Sequence, residues 1–558
     1  MTNLHPKLVP ILFCLVLGLA VYSGLAAPIF QYNSTDWGLL SELPISYWVA
    51  FAVMVFCVFY IILRNACNFR NVVFLPLMIF VILYFAPLLI ERPVGLSPRS
   101  LWPSSEANVL IATGHISSDT AKQLLSYDSW PIFNVLGATI MMVTGIPLVS
   151  LAKYFPLFTV GLWGLLVLSI LKISLNLEYA LIGVAWFMTG LWARLQYFGP
   201  QSIAFTFFLA FILLFVKILF HQESQAPSQT RRLQVLMFVM IVATVFAHSL
   251  TSLFMILIVG TFYLVTKILP AFRKDLHRHA IAVTVGVCAI FFFSHAIFFA
   301  PKFFEWATQE IYRTLQNLLE LSVYQEGSRI SGSMYRQWTN ILTEALIFIN
   351  IFVWLIAVVH TYRDETIGRY QLTFWVSFAV ALIVPSLMLP YGQEAPFRAF
   401  TFGLLGFSLL PVLLLKKRPK ILLALILLLV VLSLPTMYGT EAFKLATSTE
   451  LSGTGFSMAY LPEGARILYY EESYLRYHDP LKEIQLVTLG KPPFNVKLES
   501  SVVEETIGEA DYIILSRAQD NFYIFNTGSN PFCEIKVDNL TSFDQIYSND
   551  GFRLILRR

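Results

Sequence analysis

Four acids lie between the third and fourth long apolar runs of this chain: Glu91, Glu106, Asp119 and Asp128, accompanied by Arg92, Arg99, His115 and Lys122. A carboxylate in such a segment can act as a general base or hold a divalent metal; the plainer role is that of a solvated loop. Three short turns between later runs also carry polar groups: Tyr197-Phe198-Gly199-Pro200-Gln201-Ser202, His248-Ser249-Leu250-Thr251-Ser252 and Tyr391-Gly392-Gln393-Glu394-Ala395-Pro396-Phe397-Arg398. Each brings polar side chains to the same depth, so His115, Gln201, His248 and Glu394 are candidates for one cavity. Turn closure and helix capping are the alternative, above all for Ser202 and Ser249. Arg398 opens an apolar run, where an unpaired cation is costly. Either Glu394, four residues earlier, pairs with it, or a lipid phosphate does. Arg194, Lys302, Arg313, Arg329 and Arg336 are further cations at that depth. No P-loop, no Gly-x-Gly-x-x-Gly before a helix and no His-Glu-x-x-His is present, so nucleotide chemistry inside the cell has no visible site. The five cysteines show no zinc spacing.

The elements that position these groups are membrane helices. Of 558 residues, 57% are apolar and 13% charged, and mean hydropathy is +0.68. A soluble domain carries about 25% charged residues, so this charge cannot coat a soluble protein of such length. Disorder is excluded by the same figures. A net charge of +4 gives no sign of a nucleic-acid partner. Runs long enough to span, about 20 residues each, fall near 8–27, 46–64, 71–90, 155–174, 177–196, 201–220, 233–249, 250–269, 279–299, 339–361, 371–390, 395–415 and 420–437. The first is read as a retained helix and not as a cleaved signal peptide.

Charge sets the expected topology. Lys217–Arg232, Lys267–Arg278 and Lys416–Lys420 are strongly basic, and Arg64 with Arg70 and Arg363 with Arg369 less so. Cytoplasmic loops are rich in Lys and Arg. All five fall on the cytoplasmic side if the amino terminus is inside and the apolar stretch 131–150 lies along the surface. The expected plan is therefore an α-helical polytopic membrane protein of about 13 spans over residues 1–437. Juxtamembrane segments lie at 91–150 and 301–338, and a small α/β domain at 438–558 lies outside the cell membrane. The segment from Pro301 alternates aromatic and charged residues at helical spacing, as a helix in the bilayer interface or one packed on the bundle would. In the tail, β-type runs occur at Arg466–Tyr470, Ile484–Thr488, Tyr512–Ser516, Asn521–Phe525, Ile535–Val537 and Phe552–Leu556. Asn549-Asp550-Gly551 there predicts a hairpin turn.

Three stretches carry a family resemblance: Glu106-Ala107-Asn108-Val109-Leu110-Ile111-Ala112-Thr113-Gly114-His115-Ile116, then Tyr127-Asp128-Ser129-Trp130-Pro131-Ile132-Phe133, then Val143-Thr144-Gly145. Together they resemble the first external loop of polytopic GT-C glycosyltransferases, especially archaeal ones, with protein O-mannosyltransferases and lipid A aminoarabinose transferase as more distant relatives. The tail sequence Ile546–Arg553 is similar to the closing hairpin of such archaeal proteins. The resemblance implies a cell-envelope transferase, inverting, that takes a sugar from a polyprenyl-phosphate donor at the outer face. Its acceptor would be a protein, lipid or glycan, and membrane lipid would surround it. By the resemblance Glu106, or Asp128 by proximity, is the catalytic base. Arg398, with Arg336 and Tyr391, is the set that receives the donor phosphate. The family's usual acid at this loop is Asp beside a second acid, whereas Glu106 stands alone. No organic cofactor is implied, and a divalent metal is the one inorganic group this chemistry admits. Two other functions compete: a transporter or flippase of lipid-linked sugars, which the scarcity of charges within the runs disfavours, and a non-catalytic scaffold derived from a transferase.

Overall fold

A computed structural model describes residues 8–26, 37–64, 68–90, 98–115, 129–191, 197–220, 227–268, 278–320, 334–364, 367–379, 395–439, 448–469, 475, 478, 482, 484–487, 500–517, 519–520, 543–549 and 552–557. Among them, ten helices of 19 to 30 residues are apolar enough to cross a bilayer. In chain order the helices are α1 Leu8–Ala26, α2 Ile45–Arg64, α3 Phe69–Ile90, α4 Pro98–Thr113, α5 Pro131–Thr144, α6 Leu148–Leu171, α7 Leu177–Thr189, α8 Pro200–Phe220, α9 Pro227–Ala247, α10 Ser249–Ile268, α11 Arg278–Phe298, α12 Pro301–Glu320, α13 Met334–Asp364, α14 Arg369–Ser377, α15 Ala395–Leu415 and α16 Pro419–Tyr438. Helices form because lipid offers the backbone no hydrogen-bond partner, so each segment must satisfy its own. Their outward faces stay apolar: Phe56, Leu63, Leu165, Ile290, Phe298 and Phe348 are all exposed. The protein is an integral membrane protein.

Ten of the thirteen expected runs are thus spanning-length helices. The runs at 177–196 and 371–390 are represented by α7 and α14, whose remaining residues lie largely outside the described ones. The run at 395–415 is α15. The stretch 131–150 is split. Its helix α5 has 14 residues, about 21 Å at 1.5 Å per residue, short of the roughly 30 Å hydrocarbon core. It stops at Gly145, whose φ of 68° only glycine adopts readily. Helix α6 then begins at Leu148, one to two turns before the expected 155, because Lys153 breaks the hydropathy without breaking the helix.

Helix α3 is not uniform. Residues Val81–Phe85 form a π-turn, which loosens the i to i−4 ladder. Tyrosines from elsewhere bind the loosened turn: Tyr47 Oη donates to the Ile82 carbonyl at 3.1 Å, and Tyr438 Oη donates to that of Leu83. Tyr84, within the turn, donates in the other direction to the Met188 carbonyl at 2.5 Å. Other polar pairs crosslink the bundle, among them Trp186 Nε1 to Asn350 Oδ1 at 2.8 Å and Trp163 Nε1 to Thr206 Oγ1 at 2.7 Å.

The tail holds α17 Ser448–Tyr460, α18 Ser500–Glu509 and strands β1 Arg466–Leu468, β2 Gln485–Val487, β3 Tyr512–Ser516, β4 Phe543–Asn549 and β5 Phe552–Arg557. The strands form one sheet in the order β2-β1-β3-β5-β4. The first three are parallel, and β5 runs antiparallel to both β3 and β4. Asn549 pairs with Phe552, so a two-residue connection closes the expected hairpin. The runs at 521–525 and 535–537 lie outside the described residues. Gly453 of α17 lies under the Phe552 ring with no room for a Cβ.

A second apolar core joins this tail to the bundle. It contains Phe133 of α5, Leu148 and Ala152 of α6, Phe198, Ile203 and Ala204 at the start of α8, Ala247 at the end of α9, and Ile467, Tyr469, Ile514 and Phe552 of the tail. These helix ends and the tail therefore share one end of the bundle. The basic ends Lys217 of α8 and Arg231 and Arg232 of α9 are at the opposite end of the same helices.

Candidate active site

Three phenylalanines on three helices meet near the tail-bearing end. Phe402 of α15 lies against Phe254 of α10 with ring centroids 4.3 Å apart, and edge-on to Phe205 of α8 at 5.3 Å. All three are buried. The three helices begin at the same end of the bundle, so four residues back along each is one turn nearer the tail. Four residues before Phe205 is Gln201, and four before Phe402 is position 398. Three before Phe254 is Thr251, bonded to His248. The phenylalanines form an apolar cluster, and Gln201, Thr251 and position 398 lie about one turn nearer the tail along their helices.

Each polar group is set in place by a different local device. Pro200 starts α8, where its missing N–H costs nothing. Ser202 Oγ closes the preceding turn on the Gly199 carbonyl at 2.8 Å. Gln201 is 0% exposed, and neither Nε2 nor Oε1 has a hydrogen-bond partner among the described residues. His248 caps α10: its Nδ1 accepts from the Thr251 backbone N–H at 3.3 Å and lies 3.1 Å from Thr251 Oγ1. With Nδ1 accepting, the neutral ring carries its proton on Nε2. The backbone of Arg398 is in the first turn of α15; its side chain lies outside the described residues, as do Tyr391, Glu394 and Asp128.

Glu106 sits on a helix, α4, and not in an open loop. Its neighbour Ala107 is fully buried, and Gly137 of α5 is the reason both helices approach. A Cβ on Gly137 would lie 3.5 Å from Ala107 Cβ and 3.2 Å from Phe198 Cζ. Glu106 is half-buried and interacts with neighbouring groups. The contact at Gly137 brings α4 against the segment that leads through Phe198 to Gln201. His115 is exposed past the end of α4, beside Gly114, whose φ is 74°.

Arg336 is buried in the first turn of α13 and interacts with its surroundings. It lies further out than position 398. Trp354 of α13 and Phe407 of α15 touch edge-on at 5.5 Å. Measured from there, Arg336 is about 27 Å up its helix and position 398 about 14 Å up its own. Beside Arg336, Tyr335 packs edge-on to Trp37 at 5.7 Å.

One group was not legible in the sequence. His295, near the end of α11, is buried beside Ser129. Its ring lies 6.2 Å from that of Trp130, and Trp130 is edge-on to Phe303 of α12 at 5.2 Å. The chain directly after Asp128 is thereby held between α11 and α12. A lone histidine in an apolar run gives no sign of such a partner. Among the described residues no three His, Cys, Asp or Glu side chains converge on a metal position.

No model of a known family matches the sequence, and no curated protein is significantly similar to it. Solved structures do match. The oligosaccharyltransferase of Archaeoglobus fulgidus, solved with zinc and sulfate, superposes over 87% of this chain and 73% of its own at 12% identity, with a TM-score of 0.53. Its apo form covers 88% and 74% at 13% identity, with a TM-score of 0.52. The oligosaccharyltransferase AglB of the same organism, in complex with an inhibitory peptide and a dolichol-phosphate, covers 86% and 73% at 12% identity, with a TM-score of 0.50. At these identities the likeness is one of fold. The chain is a polytopic membrane protein of GT-C-like fold with a small sheet domain at its carboxyl end.

Proposed function

We propose that this protein is a membrane glycosyltransferase that moves a sugar from a polyprenyl-phosphate donor to an acceptor at the tail-bearing end of the bundle, which faces outward. The observation that carries the reading is the likeness of fold over 87% of the chain to an archaeal oligosaccharyltransferase. The oligosaccharyltransferase AglB of the same organism has been solved with a dolichol-phosphate, which supports a lipid phosphate as the leaving group here. The basic ends of α8 and α9, opposite the tail, support an outer location for the site.

The chemistry follows from the groups at that end. Glu106, or Asp128, takes the proton from an acceptor hydroxyl. The freed oxygen bonds to the anomeric carbon from the face opposite the phosphate. The bond from that carbon to the phosphate oxygen breaks, and the lipid phosphate leaves with the electron pair, so configuration inverts. Arg398, with Arg336 and Tyr391, receives the developing phosphate charge. The difference in height between Arg336 and position 398 suits a diffuse cationic wall along the path of the leaving group. A bound divalent metal would add charge stabilisation next to the acids.

Incubation of the purified full-length protein with polyprenyl-phosphate sugars tests the reading. Release of polyprenyl phosphate with transfer to an added acceptor is expected. Movement of a labelled lipid across vesicles with no sugar transfer would replace it with a flippase.

A further inference from the structure

The amide of Gln201 is shut off from water and unpaired at both ends. On the neighbouring helix, Thr401 Oγ1 is also buried and lacks a partner among the described residues. Thr401 adjoins Phe402, whose ring meets that of Phe205, and Gln201 is one turn above Phe205 on the same face of α8. Both ends of the Gln201 amide, without partners, therefore lie one turn from the phenylalanine cluster, and a third unpartnered polar atom belongs to the helix that supplies Phe402. Such groups are expensive to leave unmade, so they mark a place where a partner is missing.

We infer that Gln201 and Thr401 read the hydroxyl groups of the donor's sugar and not its phosphate. The inference rests on the glycosyltransferase reading and names the moiety that each part of the site takes. A side-chain amide is a donor at Nε2 and an acceptor at Oε1. An ionised phosphate supplies acceptors only, so it would pair Nε2 and leave Oε1 bare. A polyprenyl chain supplies nothing. A ring hydroxyl both donates and accepts, and two adjacent hydroxyls on a pyranose match the two ends of one amide. The Thr401 hydroxyl offers one more donor and acceptor. The apolar cluster nearby suits the C–H face of the same ring. The sugar reaches the amide by displacing the groups that cover it.

The test compares two probes on full-length protein in nanodiscs: a polyprenyl phosphate, and the same lipid carrying a hexose. Gln201→Met keeps the length and removes both hydrogen-bonding ends. It is expected to weaken the hexose-bearing lipid about tenfold or more, the loss of one to two good hydrogen bonds, and to leave the bare lipid unchanged. Thr401→Val, which keeps shape and removes the hydroxyl, is expected to show the same selectivity at smaller size, and it is the deciding variant if Gln201→Met does not fold. Equal weakening of both lipids would overturn the inference in favour of phosphate binding. Unchanged binding of both, with raised thermal stability, would make these groups orphaned core atoms only. Failure of the wild type to bind either lipid would instead bring down the glycosyltransferase reading, and this inference with it.

Discussion

Because Ala107 meets Gly137 across the α4–α5 contact, the adjacent Glu106 is carried on a helix with a fixed exit direction. A general base needs that fixity, since proton transfer depends on hydrogen-bond geometry first and acidity second. Glu106→Gln should lower kcat by about 10²–10⁴ with the donor KM little changed, as measured by steady-state release of lipid phosphate. Wild-type turnover in this variant would transfer the role to Asp128. The resemblance pointed to Glu106, but the helix beneath it was hidden. The stretch around it was expected as an external loop, whereas it belongs to α4, which packs on α5 through Ala107. That Gln201 and position 398 stand near the starts of their helices was legible as depth along the apolar runs, and the phenylalanine four residues after each was there to be read. What spacing could not supply is that these phenylalanines touch one another.

At the scale of elements, the tail depends on two contacts of different kinds. Gly453 of α17 leaves room for the Phe552 ring of β5, and a methyl there would overlap the ring carbons. Gly453→Ala should therefore destabilise the tail by about 1–3 kcal/mol through overpacking, seen as earlier loss of the tail in a thermal proteolysis series. The other contact is ionic. Arg466 donates to Asp511 from Nη2 at 2.7 Å and from Nε at 3.2 Å. The guanidinium beside it holds the Asp511 carboxyl below the usual carboxylate range. A depressed folded pKa stabilises above the unfolded value and loses that contribution as pH falls through the folded one. Protection of the β1 and β3 amides from hydrogen exchange in the full-length protein should thus decline below about pH 4, and Asp511→Asn should flatten that decline. Both partners are well exposed, so solvent screens the pair and the effect should be small.

For the whole molecule, one apolar core binds the tail to the ends of α5, α6, α8 and α9, and the basic ends of α8 and α9 lie away from it. A reporter fused near Ser224 should signal inside the cell, and protease added to intact cells should clip the tail while sparing Lys416–Lys420. An external signal from Ser224 would invert the second half of the topology. The spanning helices themselves were legible because hydropathy integrates over about 20 residues, and ten of the thirteen expected runs are helices of spanning length among the described residues. The α5–α6 break was legible only in part, since Gly145 and Pro147 announce a break without saying which side of it enters the membrane.

The π-turn of α3 has a consequence for how the chain arrives at Glu106. An α-helix turns about 100° per residue, and a π-turn is in effect one residue added to an otherwise regular spiral. Everything after Phe85 is therefore out of phase with everything before it. Residues Ala86–Ile90 continue on a different bearing from the helix before the turn. Tyr47 and Tyr438 clamp this dislocation in place by binding the Ile82 and Leu83 carbonyls. Replacing either with Phe should cost about 1–3 kcal/mol for a buried carbonyl left bare, read as a lower melting temperature in detergent. Deleting one residue within Val81–Phe85 should do something else: heal the spiral, preserve insertion, and swing the outgoing chain by about a quarter of a circle. A protein that is membrane-embedded, well folded and inactive is the expected result, with the acid misdirected by an error of phase and not of chemistry.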